Sequence, residues 1–201
     1  MMVYITHAAT AASVHPSPET MNFKLALVLP LALFLGACST YTTPRYSISA
    51  DTNVGLKAIG SSNIGVGGFT GPASFDSGCR GAGPIAPPDG ITHTEYLRKA
   101  LEDELKVAGV FGATNARVVI GGVVNKLEFS SSRGLTGGTW DIDVTLSSSN
   151  GKKLNAVEHY EFQSGFVADT ACKQTAEAYL PTVQNLIKKI VLLPEFKTLV
   201  Q

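Results

Sequence analysis

The sequence predicts an α+β fold in which a largely antiparallel sheet of about four strands carries two helices on one face. The predicted order is strand, helix, strand, strand, strand, helix. Three observations support it: two segments have the apolar spacing of amphipathic helices, one segment alternates apolar and polar residues as strands do, and an Asn-Gly pair follows that segment. With 44% hydrophobic residues and 16 basic against 16 acidic side chains, the chain should fold, and it lacks the basic excess of a nucleic-acid-binding protein.

The first strand is expected in residues 62–72, which follow a further short β-like stretch in residues 46–60. Ile64, Val66 and Phe69 are the positions expected to be buried, although the intervening glycines weaken a strand. Residues 70–90 are rich in glycine and proline, which set turns and block regular pairing. They are predicted to form a long ordered loop.

The first helix is predicted to begin at Thr92, which with Glu95 has the spacing of a capping box. Gly109 provides a left-handed stop at the other end. The charged residues between these limits are expected to face solvent. The predicted buried stripe consists of Leu97, Leu101, Leu105 and Ala108.

Three strands are predicted after this helix. Residues 116–129 are rich in valine and isoleucine, as a central strand requires, and residues 130–138 form a flexible serine and glycine connection. In the next strand one face carries Trp140, Ile142, Val144 and Leu146. Asn150 and Gly151 predict a two-residue type I′ turn, and residues 153–162 return as the partner strand.

The last helix is predicted at about residues 169–192, with a kink at Pro181. Its apolar positions recur every three or four residues, so one face should pack on the sheet. These positions are Cys172, Ala176, Tyr179, Val183, Leu186 or Ile187, and Ile190.

The N-terminal region has the pattern of a secretion signal: Met21, a cation at Lys24, and an uncharged apolar run over residues 25–35. This run is shorter than the roughly 20 residues that a membrane-spanning helix needs. The run ends in Leu35, Gly36, Ala37 and Cys38, an order that resembles the lipobox of bacterial lipoprotein precursors.

The resemblance implies a thioether-linked diacylglycerol on Cys38, cleavage before it, and acylation of the new amino group with a fatty acid such as palmitate. Ser39, where an aspartate would retain the protein at the inner membrane, implies the outer membrane and a domain facing the periplasm. Residues 1–20 fit neither signal nor fold and are expected to be an upstream extension. Residues 21–37 are then the signal peptide, 38–45 a tether and 46–201 one domain. The alternative is that Cys38 is an ordinary buried cysteine in a helix.

Cys79 and Cys172 remain once Cys38 carries a lipid, and an even pair in an oxidising compartment predicts a disulfide between them. Two separate free thiols are the alternative. Histidines occur in the predicted domain only at His93 and His159, without the spacing of a metal site. His93 is expected to be exposed in the first helical turn, and His159 to lie at the surface or across a strand. Asp141 and Asp143 share one strand face, where we expect solvated carboxylates. No catalytic residue, metal or cofactor is predicted.

The predicted domain loosely resembles the small periplasmic domains of envelope-assembly lipoproteins. The resemblance implies a non-catalytic, outer-membrane-anchored accessory factor that binds an envelope protein partner, the identity of which the sequence does not specify. An exposed edge strand is a suitable contact, with the loops at 70–90 and 130–138 supplying specificity. One alternative is a binder of a small apolar or glycan ligand, in a pocket lined by Trp140, Tyr160 and Tyr179. A second is an envelope hydrolase, which requires a histidine, an acid and a nucleophile in one cleft.

Overall fold

The computed structural model describes residues 39–60, 63–72 and 74–201. These residues form seven strands, four α-helices and a single 3₁₀ turn at Pro88–Gly90. In chain order the elements are β1 (Tyr41–Thr42), α1 (Ala50–Ile59), β2 (Ile64–Thr70), β3 (Gly78–Cys79), β4 (Gly83–Ala86), α2 (His93–Val107), β5 (Val118–Arg133), β6 (Gly137–Ser148), β7 (Lys153–Gln163), α3 (Ala168–Leu192) and α4 (Pro194–Leu199).

The main sheet has the strand order β2-β5-β6-β7. β2 runs parallel to β5, and the other two pairings are antiparallel. Helix α2 packs on β2, and helix α3 crosses β5, β6 and β7. The α+β prediction is therefore confirmed. Among the largest fully buried side chains between sheet and helices are Trp140, Tyr179 and Phe196.

A glycine on β5 lets an aromatic ring reach the sheet. The ring of Phe69 lies so close to Gly122 that a Cβ there would sit 2.7 Å from it. Phe69 is half-buried against the core, as is Val66, whereas Ile64 is fully buried. The three positions expected to pack inward from β2 therefore do so to different degrees.

Helix α1 corrects the prediction of a β-like stretch before β2. The Oγ of Ser49 accepts a hydrogen bond from the Thr52 amide, and Gly60 ends the helix in the left-handed conformation with φ 67°. Buried residues within it are few, Thr52 and Leu56, so its sequence carries little helical periodicity. The limits of helix α1 are therefore set by its capping residues and not by an apolar stripe.

The segment at 70–90 is not a plain loop, because β3 and β4 pair antiparallel within it. β1 adds to β4 in parallel, with Tyr41 opposite Ile85, and completes a small three-stranded sheet. The packed fold thus begins by Tyr41, inside the stretch of residues 38–45 predicted as a tether. The reason is that Tyr41 is buried and its backbone is paired.

A buried carboxyl group fastens the chain that follows β1. Glu104 on α2 is fully buried, and its Oε1 accepts hydrogen bonds from the Tyr46 hydroxyl and the Ser49 amide, each 2.7 Å long. Burial, the largest cause, raises the pKa of Glu104 above its usual value, against the opposing effect of these hydrogen bonds. The hydroxyl of Tyr96 also donates to the Pro44 carbonyl at 2.9 Å. Residues 44–49 are therefore part of the folded domain.

Both hairpins of the main sheet depart from the sequence prediction in detail. β5 extends to Arg133 and β6 begins at Gly137, so most of the predicted flexible connection belongs to these two strands. The β6–β7 hairpin is confirmed, but the turn is not type I′, because Gly151 has positive φ and Asn150 does not. The Gly151 amide instead donates to the Ser148 carbonyl, as in a type I turn followed by a left-handed glycine.

The two predicted helices are present. Thr92 caps α2 by accepting a hydrogen bond from the Glu95 amide at 3.1 Å, while the Glu95 carboxylate pairs with Arg98. Gly109 follows α2 with φ 75°. Helix α3 runs without interruption through Pro181.

The disulfide between Cys79 and Cys172 is present, as predicted, and joins β3 to the first turns of α3. Both cysteines are fully buried. The small sheet is therefore covalently tied to the main body of the domain.

Candidate functional site

The outer edge of β2 is the feature of the main sheet that best suits a protein partner. Only the first residue, Ile64, is paired on that side: it bridges to Phe111 through hydrogen bonds with Val110 and Gly112. From residue 65 to residue 70, no strand in the described part of the chain pairs with this edge. An unpaired strand edge offers backbone amides and carbonyls to an added strand.

The sequence of β2 lacks the charged residues and prolines that protect many edge strands. It reads Ile-Gly-Val-Gly-Gly-Phe-Thr. A bulge between Val66 and Phe69 is the one irregularity in its pairing with β5. Gly68 is exposed, and a side chain built there would meet no atom within 4 Å.

The opposite edge, β7, is protected. The Nζ of Lys189 reaches from α3 to the Val157 carbonyl at 2.6 Å and to the Glu158 carboxylate at 2.5 Å. Lys153 and Glu161 add exposed charges along the same strand. Because charged side chains oppose edge-to-edge pairing, β7 is the poorer acceptor for a partner strand.

An apolar pocket of about 420 Å³ lies next to the end of β2. β2 covers β5 only as far as Val123, and the pocket occupies the space beyond, beside Leu127. Its walls come from the segment after β2, from β4 and from the start of α2. Most of the lining is apolar: Pro72, Phe75, Ile85, Pro87, Ile91 and Leu127, with Ser77, Thr92, Thr94 and His93 as polar members.

His93, at one side of this pocket, is buried, contrary to the prediction that it would be exposed. Only 8% of the residue is accessible, and its ring contacts those of Phe75 and Tyr179, with centroids 4.7 and 5.1 Å away. The imidazole is buried because the first turn of α2 faces Trp140 and Tyr179 in the core. Its Nε2 is buried and has no hydrogen-bond partner in the described chain. Burial lowers the pKa of His93 to about 4, so the imidazole is neutral at pH 7.

The other face of the sheet is open and polar. The Nδ1 of His159 lies 2.7 Å from Asp141 and its Nε2 lies 3.3 Å from Glu161. Asp143 accepts hydrogen bonds from Asn125 at 2.9 Å and Asn155 at 2.7 Å. The predicted surface or cross-strand position of His159 is therefore confirmed, and Asp141 and Asp143 lie on that face as expected.

The two histidines considered for the hydrolase alternative lie on opposite sides of the main sheet. His93 lies on the helix-covered side of the sheet, whereas His159 lies on the open side. Trp140 and Tyr179, which the ligand-binding alternative would place in a pocket, are fully buried in the core, and Tyr160 lines a separate polar depression beside Arg133. The pocket beside β2 was not predicted, because its walls are brought together by the small sheet.

Cys38, the predicted site of lipid attachment, lies outside the described residues, as does the predicted signal peptide at 21–37. Among residues 39–60, 63–72 and 74–201, no cluster of His, Cys, Asp and Glu is arranged to hold a metal ion. Within the same residues, no helix has both the length and the apolar character to cross a bilayer.

No protein-family model matches this chain, and no curated protein matches it. Several solved structures are similar to it. A protein from Caulobacter crescentus CB15, provisionally assigned as a lipoprotein, is 16% identical, with 74% of this chain and 94% of that chain covered and a TM-score of 0.40. A DUF330 family protein from Xanthomonas campestris is 11% identical, with 76% and 92% covered and a TM-score of 0.46. A minor lipoprotein from Acinetobacter baumannii is 15% identical, with 68% and 93% covered and a TM-score of 0.42.

Two of these similar structures are thus named as bacterial lipoproteins. The names of these structures state no partner, ligand or reaction. Similarity at these identities and TM-scores carries no conclusion about function. The function therefore has to be argued from the geometry of the domain itself.

Proposed function

We propose that this protein is a lipoprotein, lipidated at Cys38 and anchored in the outer membrane, whose periplasmic domain binds an envelope protein partner without catalysing a reaction. The observation that carries the proposal is the contrast between the two edges of the main sheet. In the described part of the chain, the outer edge of β2 is unpaired from residue 65 to residue 70 and β2 carries no charge, whereas Lys189 and the charges of β7 protect the other edge of the sheet.

The chemistry of the edge defines the partner. Strand addition takes its affinity from main-chain hydrogen bonds and its specificity from pockets that receive alternate side chains. The pocket beside Leu127 begins at Gly71, directly after the last residue of β2, and its lining is mostly apolar, so it lies next to the end of a strand added along β2. The partner is therefore an extended, uncharged segment of an envelope protein with an apolar side chain at one end.

A charged side chain on the edge tests the proposal. Gly68→Lys adds a flexible cation where no neighbouring atom lies within 4 Å, so the fold is retained and pairing is opposed. Val157→Lys places the same charge on an exposed position of β7 and is the matched control. The measurement is chemical cross-linking in intact cells, detergent extraction and identification of the proteins that co-purify with wild type and each variant.

We expect one envelope protein to co-purify with wild type and with Val157→Lys, and its recovery with Gly68→Lys to fall about tenfold, the change that corresponds to 1.4 kcal/mol of binding free energy. Equal recovery by all three proteins would exclude the β2 edge as the contact. A Cys38→Ala variant run in parallel reports whether capture depends on the lipid anchor.

The pocket supports a second candidate function, the binding of a small apolar ligand. Its volume of about 420 Å³ lies within the usual range for small-molecule sites. The specific observation in favour is the lining, which is mostly apolar and has a few polar side chains, among them Thr92, Thr94 and His93.

The neutral dye N-phenyl-1-naphthylamine tests this second candidate. It should bind at one saturable site in wild type, and Ser77→Phe, which fills the pocket from its wall, should abolish that site. Dye binding that is unchanged by Ser77→Phe would place the dye elsewhere and would count against a ligand in this pocket.

A further inference from the structure

The most exposed large apolar side chains of the described domain include Leu135 and Phe166, with 81% and 80% of each accessible to solvent. Val167, beside Phe166, is 65% exposed. Leu135 lies in the β5–β6 turn, and Phe166 and Val167 lie in the connection from β7 to α3. Isolated exposed apolar residues are ordinary, but a group of them at one place marks an interaction site.

Contacts place these three side chains at one end of the molecule. The Ser164 amide donates to the Thr136 carbonyl at 2.8 Å, which joins the β7–α3 connection to the β5–β6 turn. The Arg80 guanidinium, in the turn between β3 and β4, donates to the Phe166 carbonyl at 2.9 Å and to the Ser131 hydroxyl at 3.0 Å. Both apolar segments are therefore held together by the β3–β4 turn.

The beginning of the described chain lies at the same end. Gly83, at the base of the β3–β4 turn, approaches the Ser39 carbonyl so closely that any side chain at Gly83 would collide with it. The hydroxyl of Tyr41 donates to Asp169 at 3.2 Å, three residues beyond Phe166. Cys38 precedes Ser39 directly, so the residue that would carry the lipid has its Cα about 4 Å from that of Ser39.

We propose that this end of the domain, defined by Leu135, Phe166 and Val167, inserts its apolar side chains into the bilayer surface that holds the lipid of Cys38. The proposal rests on the lipid anchor in the proposed function, and it adds a fixed orientation of the domain. Because Tyr41 is already docked, only residues 38–40 separate lipid from fold, about 10 Å of extended chain. So short a link keeps these apolar side chains at the membrane whenever the lipid is inserted.

We assign this patch to the lipid surface and not to a second protein, since the described chain begins at Ser39 at the same end of the domain. Apolar side chains that enter the membrane–water interface add to the membrane affinity that the attached lipid provides. Arg80 brings a cation to the same end through contacts with carbonyl and hydroxyl groups. A cation there suits the negative surface of a membrane containing anionic lipid.

A tryptophan reporter tests the orientation. Trp140 is the single tryptophan and is fully buried, so wild type gives the baseline. Phe166→Trp adds an indole at the proposed insertion point. Val54→Trp adds an indole at another exposed position, on α1. Helix α1 packs on the far end of α3, about 35 Å away along that helix. The lipidated proteins are reconstituted into phosphatidylethanolamine and phosphatidylglycerol vesicles with or without brominated phosphatidylcholine, whose bromine atoms quench indole fluorescence.

With brominated lipid, we expect the emission of Phe166→Trp to fall by up to roughly half, since one of its two indoles lies in the bilayer surface. Wild type and Val54→Trp should change little. Quenching of Val54→Trp equal to that of Phe166→Trp would overturn the orientation, and absence of quenching at position 166 would overturn the insertion. Flotation of the vesicles separates the two hypotheses: a wild-type protein that does not float lacks the lipid anchor, whereas one that floats without quenching at position 166 retains the anchor and refutes only this proposal.

Discussion

His93 is the first residue of α2, where exposure to solvent is expected, yet its side chain is buried in the core. The first turn of a helix commonly exposes its residues, and the sequence around His93 gives no sign that the core takes it. The ring nevertheless lies within an aromatic cluster with Phe75, Trp140 and Tyr179. No charged group is among its ring contacts, so burial alone depresses its pKa.

The His93 pKa of about 4 predicts a loss of stability in mild acid. The unfolded chain takes up a proton near pH 6.5, well before the folded protein does, so the free energy of unfolding decreases as the pH falls from 7 towards 4. Replacing His93 by leucine removes this proton. Between pH 7 and about pH 5, wild type should lose about 1–2 kcal/mol more of its unfolding free energy than His93→Leu does, measured by urea denaturation.

Glu104 affects the pH dependence of the unfolding free energy in the opposite direction, and it is present in both wild type and His93→Leu. Because its pKa is raised in the folded state, it favours folding at low pH and loses that contribution as the pH rises through the folded-state value. The comparison of His93→Leu with wild type cancels this effect. An identical pH dependence in both proteins would contradict the burial of a neutral imidazole.

Among the elements, the small sheet of β1, β4 and β3 depends on the disulfide that ties it to α3. The bond closes a loop of 93 residues, for which the chain-entropy model gives about 4–5 kcal/mol of stabilisation. Replacing Cys79 and Cys172 together by serine should lower the free energy of unfolding by an amount approaching this value. Guanidinium denaturation of the double variant measures it, and a loss below about 1 kcal/mol would contradict the role of the bond as a major constraint on the unfolded chain.

Elements with strong periodicity were predictable from sequence, and elements defined by their ends or by distant partners were not. Helices α2 and α3 and strands β6 and β7 carry regular apolar patterns and were found. Helix α1 has only Thr52 and Leu56 buried, and its limits come from Ser49 and Gly60. β3 and β4 lie in a segment of glycine and proline and form strands because β1 and the disulfide hold them.

For the whole molecule, the sequence predicted an exposed edge strand, but it did not indicate which edge of the sheet is left open. That distinction depends on Lys189 reaching from α3 to the carbonyl of Val157, a contact between residues 32 positions apart. The pocket and the apolar end depend in the same way on tertiary contacts, through Leu127 and Arg80. Properties of the assembled surface cannot be read from local patterns.

The proposed membrane end and the proposed partner edge are compatible in space. β2 ends at Thr70, opposite Val123, and β5 continues from there to the turn that carries Leu135. At about 3.3 Å per residue, this continuation places the end of β2 roughly 30 Å from the apolar end. A domain anchored at that end therefore presents β2 to the periplasm, where a partner strand can reach it.

The central claim is that a partner strand adds to β2, and site-specific photo-cross-linking in intact cells tests it most directly. A benzoylphenylalanine residue is introduced at Gly68, where there is open space, and separately at the exposed Val157 of β7. The account predicts an ultraviolet-dependent adduct of defined mass from position 68 and none from position 157. Adducts of equal yield from both positions, or an adduct from position 157 alone, would contradict it.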